Sequence, residues 1–259
     1  MICKLLYSFG NFERCKMGKE IGIIMAAGLG ERMRPLTLKT PKPLVKVFGK
    51  PLVETVIEGL LRRDVSEIYI VVGYRKEQFA YLCDTYEKVH LIENPDYETM
   101  NNIASIYAAR EVLRTADCLI CEADLMISDA SVFDRQLEGS GYYGKMVQGY
   151  SDDWVFDLQD GFISRVGKGG TDTYNMVGIS YFQQKDACVL ADAVEEAYTK
   201  EENAGLFWDE VVDRNLDQFQ LRIFPVEPGQ IVEVDTVEEL MLLDKNALEQ
   251  NEGEDINES

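Results

Sequence analysis

The sequence predicts an α/β protein with a Rossmann-like, mixed and mainly parallel sheet, helices on both faces and an antiparallel extension in its second half. Two observations predict the parallel part. Short runs rich in Ile and Val alternate with amphipathic segments, and several of these runs end in Gly or Asp. The extension is predicted because, after about residue 140, strand-like segments follow one another with only Asp- and Gly-rich turns between them.

The first half of the chain has the spacing of βαβ units. The predicted strands are Ile21–Met25, Ile68–Val72, Val89–Ile92 and Cys118–Ala123, and the predicted helices are 51–63, 76–86 and 102–113. In such sheets ligands bind beyond the carboxyl ends of the strands. Because Gly28, Gly73 and Asp124 each follow a predicted strand, we expect the functional site at that edge.

The second half has a different order of elements. We predict strands at 145–150, 154–158, 162–166 and 175–182, helices at 184–199 and 207–215, strands at 220–224 and 231–234, and a last helix that begins near Asp235 or Thr236. Residues 21–248 are expected to form a single domain. Residues 1–20 are expected to be a dispensable extension, with Met17 as a candidate start of translation, and the polar, acidic residues 249–259 a disordered tail.

Composition excludes several classes of protein. The net charge is −20, from 46 acidic against 26 basic residues, which argues against a general nucleic-acid-binding protein. No apolar run approaches the roughly 18 to 20 residues of a membrane span, and no signal peptide is evident. Cys118 and Cys121 lie in one apolar strand and point to opposite faces, so they do not indicate a zinc site. We therefore expect a cytoplasmic protein with reduced thiols; the sequence leaves its oligomeric state open.

Residues 21–46 combine a strand, a glycine turn and a cluster of cations. The strand ends at Ala26, Ala27, Gly28 and Gly30, where small residues allow close approach of a ligand and backbone N–H groups can cradle an anion. The cations that follow are Arg32, Arg34, Lys39, Lys42 and Lys46, with Glu31 as the one acidic residue among them. This pattern indicates a polyphosphate site. It lacks the P-loop motif, and Met33 stands where the dinucleotide fingerprint needs its third glycine.

The pattern Ala-Ala-Gly-Leu-Gly-Glu-Arg-Met-Arg-Pro-Leu-Thr at 26–37, followed by Pro41-Lys42-Pro43, resembles the signature of the nucleotidyltransferases that make nucleotide sugars and CDP-alcohols. The resemblance covers nearly the whole chain from Met17 to about residue 245. It is greatest to the bacterial LicC-type CTP:phosphocholine cytidylyltransferases, through the segments 72–79, 101–105, 153–154, 207–209 and 232–235. This resemblance implies the nucleotidyltransferase fold and transfer of CMP from CTP to phosphocholine, with Mg²⁺, giving CDP-choline and pyrophosphate.

Four residues have the chemistry that this transfer needs. Arg32 can bind the β- and γ-phosphates through its planar fork, and Lys42 offers a point charge to the α-phosphate. Asp124 and Asp235 each end a predicted strand and offer the hard oxygen ligands that Mg²⁺ prefers, and the resemblance implies the same pair. Simpler roles remain open: a solvated loop lysine for Lys42, a turn residue for Asp124 and a helix N-cap for Asp235.

The remaining candidates come mainly from the resemblance. It implies that Gly73, Asn102 and Ser105 surround the base and ribose, and that Lys168 contacts the acceptor phosphate. A quaternary ammonium requires aromatic faces and carboxylates, which makes Trp154, Trp208, Asp209 and Glu233 the candidates for the choline end, with core packing as the alternative for both tryptophans. One departure bears on the acceptor: Gly205 stands where an acidic residue is expected in the phosphocholine enzymes.

Three functional hypotheses follow. The first is the phosphocholine reaction. The second is the same chemistry on 2-aminoethylphosphonate, phosphoethanolamine or a sugar 1-phosphate, and a preference for CTP over UTP or dTTP is implied only by the resemblance. The third is a non-catalytic nucleotide-binding protein, which the presence of Arg32, Lys42, Asp124 and Asp235 opposes.

Overall fold

The computed structural model describes residues 19–252. Its strands are β1 (Glu20–Ala26), β2 (Lys46–Val47), β3 (Lys50–Pro51), β4 (Glu67–Val72), β5 (Val89–Glu93), β6 (Asp117–Glu122), β7 (Leu125–Ile127), β8 (Gly141–Gln159), β9 (Phe162–Phe182), β10 (Arg222–Val226) and β11 (Ile231–Glu233). Its helices are α1 (Leu52–Arg62), α2 (Ala80–Thr85), α3 (Ile103–Ala108), α4 (Arg110–Leu113), α5 (Gln184–Tyr198), α6 (Trp208–Arg214), α7 (Val237–Leu243) and α8 (Ala247–Glu252).

Seven strands form one mixed sheet in the order β10-β8-β9-β6-β1-β4-β5. The pairs β1–β4, β1–β6, β4–β5 and β8–β10 are parallel, whereas β9 is antiparallel to both β6 and β8. The predicted fold class is therefore confirmed: a mainly parallel sheet carries an antiparallel extension in its second half. None of the helices within residues 19–252 has the length and apolar character needed to cross a membrane.

The interior strand β1 shows that the sheet is covered on both faces. Every residue of β1 is buried, as expected for a strand inside a parallel sheet. On one face Ile24 packs in a cluster with residues of α1, and on the other Ile23 packs with residues of α3 and α5. Gly22 allows α1 to approach closely, because a Cβ there would lie 2.6 Å from Cδ1 of Leu60.

The second half differs from the prediction in its strands. Instead of four short strands, residues 141–182 form one long hairpin of β8 and β9 that turns at Asp160 and Gly161. Both turn residues have positive φ, 52° and 82°, as a tight hairpin turn requires. The polar stretches that suggested breaks are register shifts inside the hairpin, between 147 and 154 among others. Bulges interrupt the alternation of side chains without ending a strand.

Two boundaries also require correction. The predicted helix 102–113 is divided at Ala109 into α3 and α4. The expected disordered tail began at residue 249, yet 247–252 is helical, and the Asn251 side chain exchanges hydrogen bonds of 2.8 and 3.0 Å with the backbone of Lys46. Most of the predicted extension (1–18) and the rest of the tail (253–259) lie outside the described residues.

Candidate active site

A cavity of about 540 Å³ lies beyond the carboxyl ends of β1 and β6. Its lining contains most of the residues that the sequence assigned to the nucleotide and the metal: Ala26, Ala27, Gly28, Gly30, Arg32, Lys42, Asn102, Ser105, Asp124 and Asp235. It also contains residues to which the sequence assigned no role, namely Glu122, Tyr97, Asn94 and Phe207. The site is thus at the sheet edge where the strand order predicted it.

The glycine turn is tied to the segment that carries Lys42. Gly30 has φ of 63°, and a Cβ there would lie 2.9 Å from Cβ of Lys42 and 3.0 Å from Cγ2 of Thr37. The Thr37 hydroxyl donates a 2.7 Å hydrogen bond to the carbonyl of Gly30. A side chain at residue 30 would therefore push the lysine away from the turn, whereas a Cβ at Gly28 would meet no atom within 4 Å.

Two cations and two aspartates meet at the floor of the cavity. The Lys42 ammonium donates to Oδ2 of Asp124 at 2.5 Å and to Oδ1 of Asp235 at 2.6 Å. The Arg32 guanidinium donates to both oxygens of Asp235, at 2.7 and 2.6 Å. The structure therefore brings together the four residues that the sequence assigned to catalysis and metal binding.

The small antiparallel sheet of β7 and β11 places the two aspartates side by side. Leu125 of β7 is paired with Glu233 of β11, and the Val234 N–H donates to the Asp124 carbonyl at 3.1 Å. Asp235 is not the N-cap of α7. Thr236 has that position, in a capping box with Glu239, so the Asp235 carboxylate remains available to the cations.

Lys42 remains a cation in this enclosed position. Its side chain is only 10% exposed. Burial acts to lower its pKa, but the charges and hydrogen bonds of Asp124 and Asp235 outweigh burial, and the pKa is raised above its usual value. A fixed positive charge thus faces the cavity at any pH near neutrality.

The site carries more negative charge than these two cations balance. Carboxylate oxygens of Asp124, Glu233 and Asp235 lie within 4.8 Å of one another, and Oδ1 of Asp124 is buried without a hydrogen-bond partner among the described residues. Such a set of hard oxygen donors fits Mg²⁺. Burial and the charges of Asp124, Asp209 and Glu233 raise the pKa of Glu122 well above its usual value. Glu233 is exposed to solvent, yet the surrounding protein and the nearby aspartates also raise its pKa.

Asp209 is not among the residues that line the cavity, and Trp208 requires correction. Trp208 is 3% exposed and stacks against Tyr142, with ring centroids 5.9 Å apart. Its faces belong to the core, so it does not offer an aromatic wall to a ligand. Asp209 is 4% exposed, its Oδ1 has no hydrogen-bond partner among residues 19–252, and burial raises its pKa to about 7.

Trp154 and Lys168 line a neighbouring cavity of about 560 Å³, and Phe207 lines both cavities. Trp154 packs edge-to-face against Phe207, with centroids 5.4 Å apart and an interplanar angle of 64°. The Lys168 ammonium is 5.8 Å from the centroid of each ring. Lys168 is not in the lining of the first cavity, so the structure does not place it beside Lys42, where a contact to the acceptor phosphate was expected.

Asn102 connects the wall of the first cavity to the beginning of α6. Its Oδ1 accepts a 2.9 Å hydrogen bond from the N–H of Trp208, at the beginning of α6. Asn101 adds two bonds to the same loop, from its N–H to the Ala204 carbonyl at 2.8 Å and from its side chain to the Gly205 carbonyl at 3.0 Å. The segment expected at the base and ribose is therefore attached to the segment expected at the acceptor.

Ser105 and Gly73 have different surroundings. The Ser105 hydroxyl is buried and accepts a 3.2 Å hydrogen bond from Asn94. Gly73 does not line the cavity. A Cβ at this glycine would lie 2.7 Å from the Tyr97 ring, so the glycine acts by allowing Tyr97 to pack at the cavity wall.

Comparison with known proteins identifies the family. Residues 22–154 match the model of the MobA-like NTP transferase domain. The chain is 52% identical to a 2-aminoethylphosphonate cytidylyltransferase from Lancefieldella rimae over 227 residues, which are 87% of this chain and 92% of the relative. The chain therefore belongs to the MobA-like nucleotidyltransferases, and it is an enzyme of the cytidylyltransferase type.

Two further similarities point to the same type of enzyme. The choline-phosphate cytidylyltransferase of Streptococcus pneumoniae is 33% identical over 230 residues, which are 86% of this chain and 96% of that protein. The solved structure of the CTP:phosphocholine cytidylyltransferase LicC from the same organism superposes with a TM-score of 0.80 at 31% identity, over 88% of this chain and 98% of that one.

Proposed function

We propose that this enzyme transfers CMP from CTP to a small phosphonate or phosphate that bears a primary ammonium, with 2-aminoethylphosphonate as the first candidate, and releases pyrophosphate. The observation that carries this proposal is the excess of carboxylates, Glu122, Asp209 and Glu233, beside the Lys42–Asp124 pair. The relative that is 52% identical supports the choice of a phosphonate acceptor. The reaction belongs in the cytoplasm, where CTP is available.

The first cavity has the groups that a triphosphate needs. Backbone N–H groups of the glycine turn and the Arg32 fork bind phosphate oxygens, and Lys42 offers its charge to the α-phosphate. An acceptor oxygen attacks the α-phosphorus, a new P–O bond forms, and the bond to the leaving pyrophosphate breaks. No covalent enzyme intermediate is required, so positioning and charge provide the rate enhancement.

Asp124 and Asp235, with Glu233 nearby, are the residues that would hold Mg²⁺. The ion would supply positive charge to the phosphate oxygens of the nucleotide. The chain's own contribution is to keep these carboxylates fixed through β7 and β11 and to keep Lys42 and Arg32 within hydrogen-bond distance of them.

The carboxylates of Glu122 and Asp209 suit a primary ammonium. Such a cation donates up to three N–H bonds, and carboxylates are its strongest acceptors. Burial is the main cause of the raised pKa values of Glu122 and Asp209, and neighbouring carboxylates raise both pKa values further. A bound ammonium would return both groups to the ionised form.

Phosphocholine is the second candidate acceptor. Trp154 and Phe207 offer aromatic surface to a quaternary ammonium. The pneumococcal choline-phosphate cytidylyltransferase and the solved CTP:phosphocholine cytidylyltransferase match 86% and 88% of this chain, which supports phosphocholine as a candidate. Against this candidate, Trp208 is buried and Lys168 occupies the space beside both rings.

Pyrophosphate release tests the proposed function. Purified enzyme with Mg²⁺ is given CTP, UTP or dTTP and one acceptor at a time: 2-aminoethylphosphonate, phosphoethanolamine, phosphocholine or glucose 1-phosphate. We expect the largest kcat/KM with CTP and 2-aminoethylphosphonate, and no release when Mg²⁺ is omitted. Preference for glucose 1-phosphate, or silence with every acceptor, would contradict the proposal.

A further inference from the structure

We infer that Lys168 sets the selectivity of the acceptor site, because its own ammonium occupies the aromatic position that a quaternary ammonium would need. The inference rests on the proposed function, since it concerns which amine the acceptor carries. It gives Lys168 a role as a specificity-determining residue, in place of the contact to the acceptor phosphate that the resemblance implies.

The hairpin fixes the position of the lysine. Trp154 of β8 and Lys168 of β9 are directly opposite one another in the strand register, and cross-strand neighbours of this kind lie close enough for their side chains to interact. The ammonium is 5.8 Å from the centroids of both Trp154 and Phe207, a distance at which a cation and an aromatic face attract each other.

The charge of Lys168 has no acidic partner in the described part of the chain. Within residues 19–252 no carboxylate lies within ion-pair distance of its ammonium. Other charged groups of the same cavity are engaged elsewhere. Arg165 pairs with Asp157 at 2.7 Å, and the Glu210 carboxylate accepts from the N–H of Phe207 at 2.8 Å. The rings of Trp154 and Phe207 are therefore the groups with which the Lys168 ammonium interacts.

A quaternary ammonium and a primary ammonium interact differently with the aromatic pair and Lys168. The trimethylammonium group has no N–H to donate and depends on aromatic faces, which here already face a positive charge. A primary ammonium is smaller and obtains its binding energy from carboxylates. Glu122 and Phe207 line the same cavity, so an acceptor can direct its amine to the acidic group without displacing Lys168.

The chain offers a sharp test through tryptophan fluorescence. It has two tryptophans, and Trp208 is in the core, so a ligand at the aromatic pair reports through Trp154. Choline and ethanolamine are titrated against wild type, Lys168→Met, Lys168→Arg and the remote control Lys185→Met, whose side chain is exposed on α5. The same proteins are assayed for kcat/KM with phosphocholine and phosphoethanolamine, which differ only in three methyl groups.

The expected result is specific to the positive charge. Lys168→Met should bind choline about tenfold more tightly than wild type, and its kcat/KM ratio of phosphocholine to phosphoethanolamine should rise by about the same factor. Lys168→Arg and Lys185→Met should behave like wild type, and affinity for ethanolamine should not change. Because Lys168 is exposed, thermal melting of the variants should be unaltered.

Two results would overturn the inference. One is unchanged choline affinity and an unchanged acceptor ratio in Lys168→Met. The other is an equal rise of KM for both acceptors, which is the behaviour of a residue that binds the acceptor phosphate. Failure of the proposed function looks different: wild type would release no pyrophosphate with any amine acceptor, while the choline titrations would still show whether Lys168 blocks the aromatic pair.

Discussion

The Lys42 ammonium lies 2.5 Å from Oδ2 of Asp124, across 82 residues of sequence. This contact joins the segment after the glycine turn to the residue that follows β6. Asp235 shares the same ammonium at 2.6 Å. The charged groups that the proposed reaction needs therefore hold one another in place before any substrate binds, which reduces the cost of ordering them during the reaction.

Replacing Lys42 with methionine should remove the positive charge at the α-phosphate while keeping most of the side-chain volume. We expect kcat to fall by about 10²- to 10³-fold, as for the loss of one preorganised electrostatic contact in other enzymes. Pyrophosphate release measures the effect. Lys50→Met is the matched control, because Lys50 is exposed and pairs with Glu58. A Lys42→Met enzyme that keeps half of its activity would exclude this role.

Asp124→Asn should weaken binding of the divalent cation. The carboxylate has one oxygen on Lys42 and a second, buried oxygen without a partner in the described part of the chain, and an amide is a poorer ligand for a hard cation. Calorimetric titration of Mg²⁺ in the presence of a non-hydrolysable CTP analogue should show at least about a tenfold loss of affinity. Asp134→Asn, on the exposed Arg62 pair, should bind like wild type; equal affinity in the two variants would refute the metal assignment.

Stability should depend on pH through Asp209. Burial raises its pKa from 3.8 to about 7 in the folded protein. The folded state therefore binds this proton more tightly than the unfolded state, and stability falls as pH rises from about 4 to 7, by at most about 4 kcal/mol.

Urea denaturation at pH 5 and pH 7.5 measures this dependence. Asp209→Asn cannot ionise, so it should lose less free energy of unfolding between the two pH values than wild type loses. Asp217→Asn is the control, because Asp217 is exposed and follows α6 directly in the chain. Identical losses in wild type and Asp209→Asn would show that Asp209 does not titrate in this range.

Asn102→Ala should affect both substrates. Its side chain accepts from the N–H at the beginning of α6, and loss of such a hydrogen bond costs about 1 kcal/mol. Because the bond joins the wall of the nucleotide cavity to the loop beside the acceptor, KM should rise for CTP and for the acceptor together. Steady-state kinetics with each substrate varied in turn provide the measurement, and a change confined to CTP would indicate a direct contact to the nucleotide alone.

The sheet and the floor of the site could be predicted from the sequence because their signals are local. β1 is a run of apolar residues, and the glycine turn, Lys42 and the two strand-end aspartates follow recognisable short patterns. Parallel strands place their carboxyl ends at one edge, so the approximate location of the site followed from the order of elements alone.

The acceptor end was less predictable because it depends on long-range packing. Nothing in the segment Phe207-Trp208-Asp209 indicates that Trp208 turns into the core while Phe207 faces both cavities. The same holds for Lys168, whose place beside Trp154 depends on the register of a hairpin that the sequence suggested was several separate strands. Glu122 lies two residues from Asp124 in the sequence. That its side chain lines the cavity depends on how the strands assemble into the sheet.

A competition experiment tests the central claim most directly. Equal concentrations of 2-aminoethylphosphonate and phosphocholine are mixed with limiting CTP, Mg²⁺ and enzyme, and the products are quantified by ³¹P NMR. The account predicts that CMP-2-aminoethylphosphonate, in which a P–O–P anhydride joins the two parts, forms in large excess, with one pyrophosphate for each product molecule. Predominant formation of CDP-choline would contradict it, and would show that the aromatic pair, rather than the carboxylates, selects the acceptor.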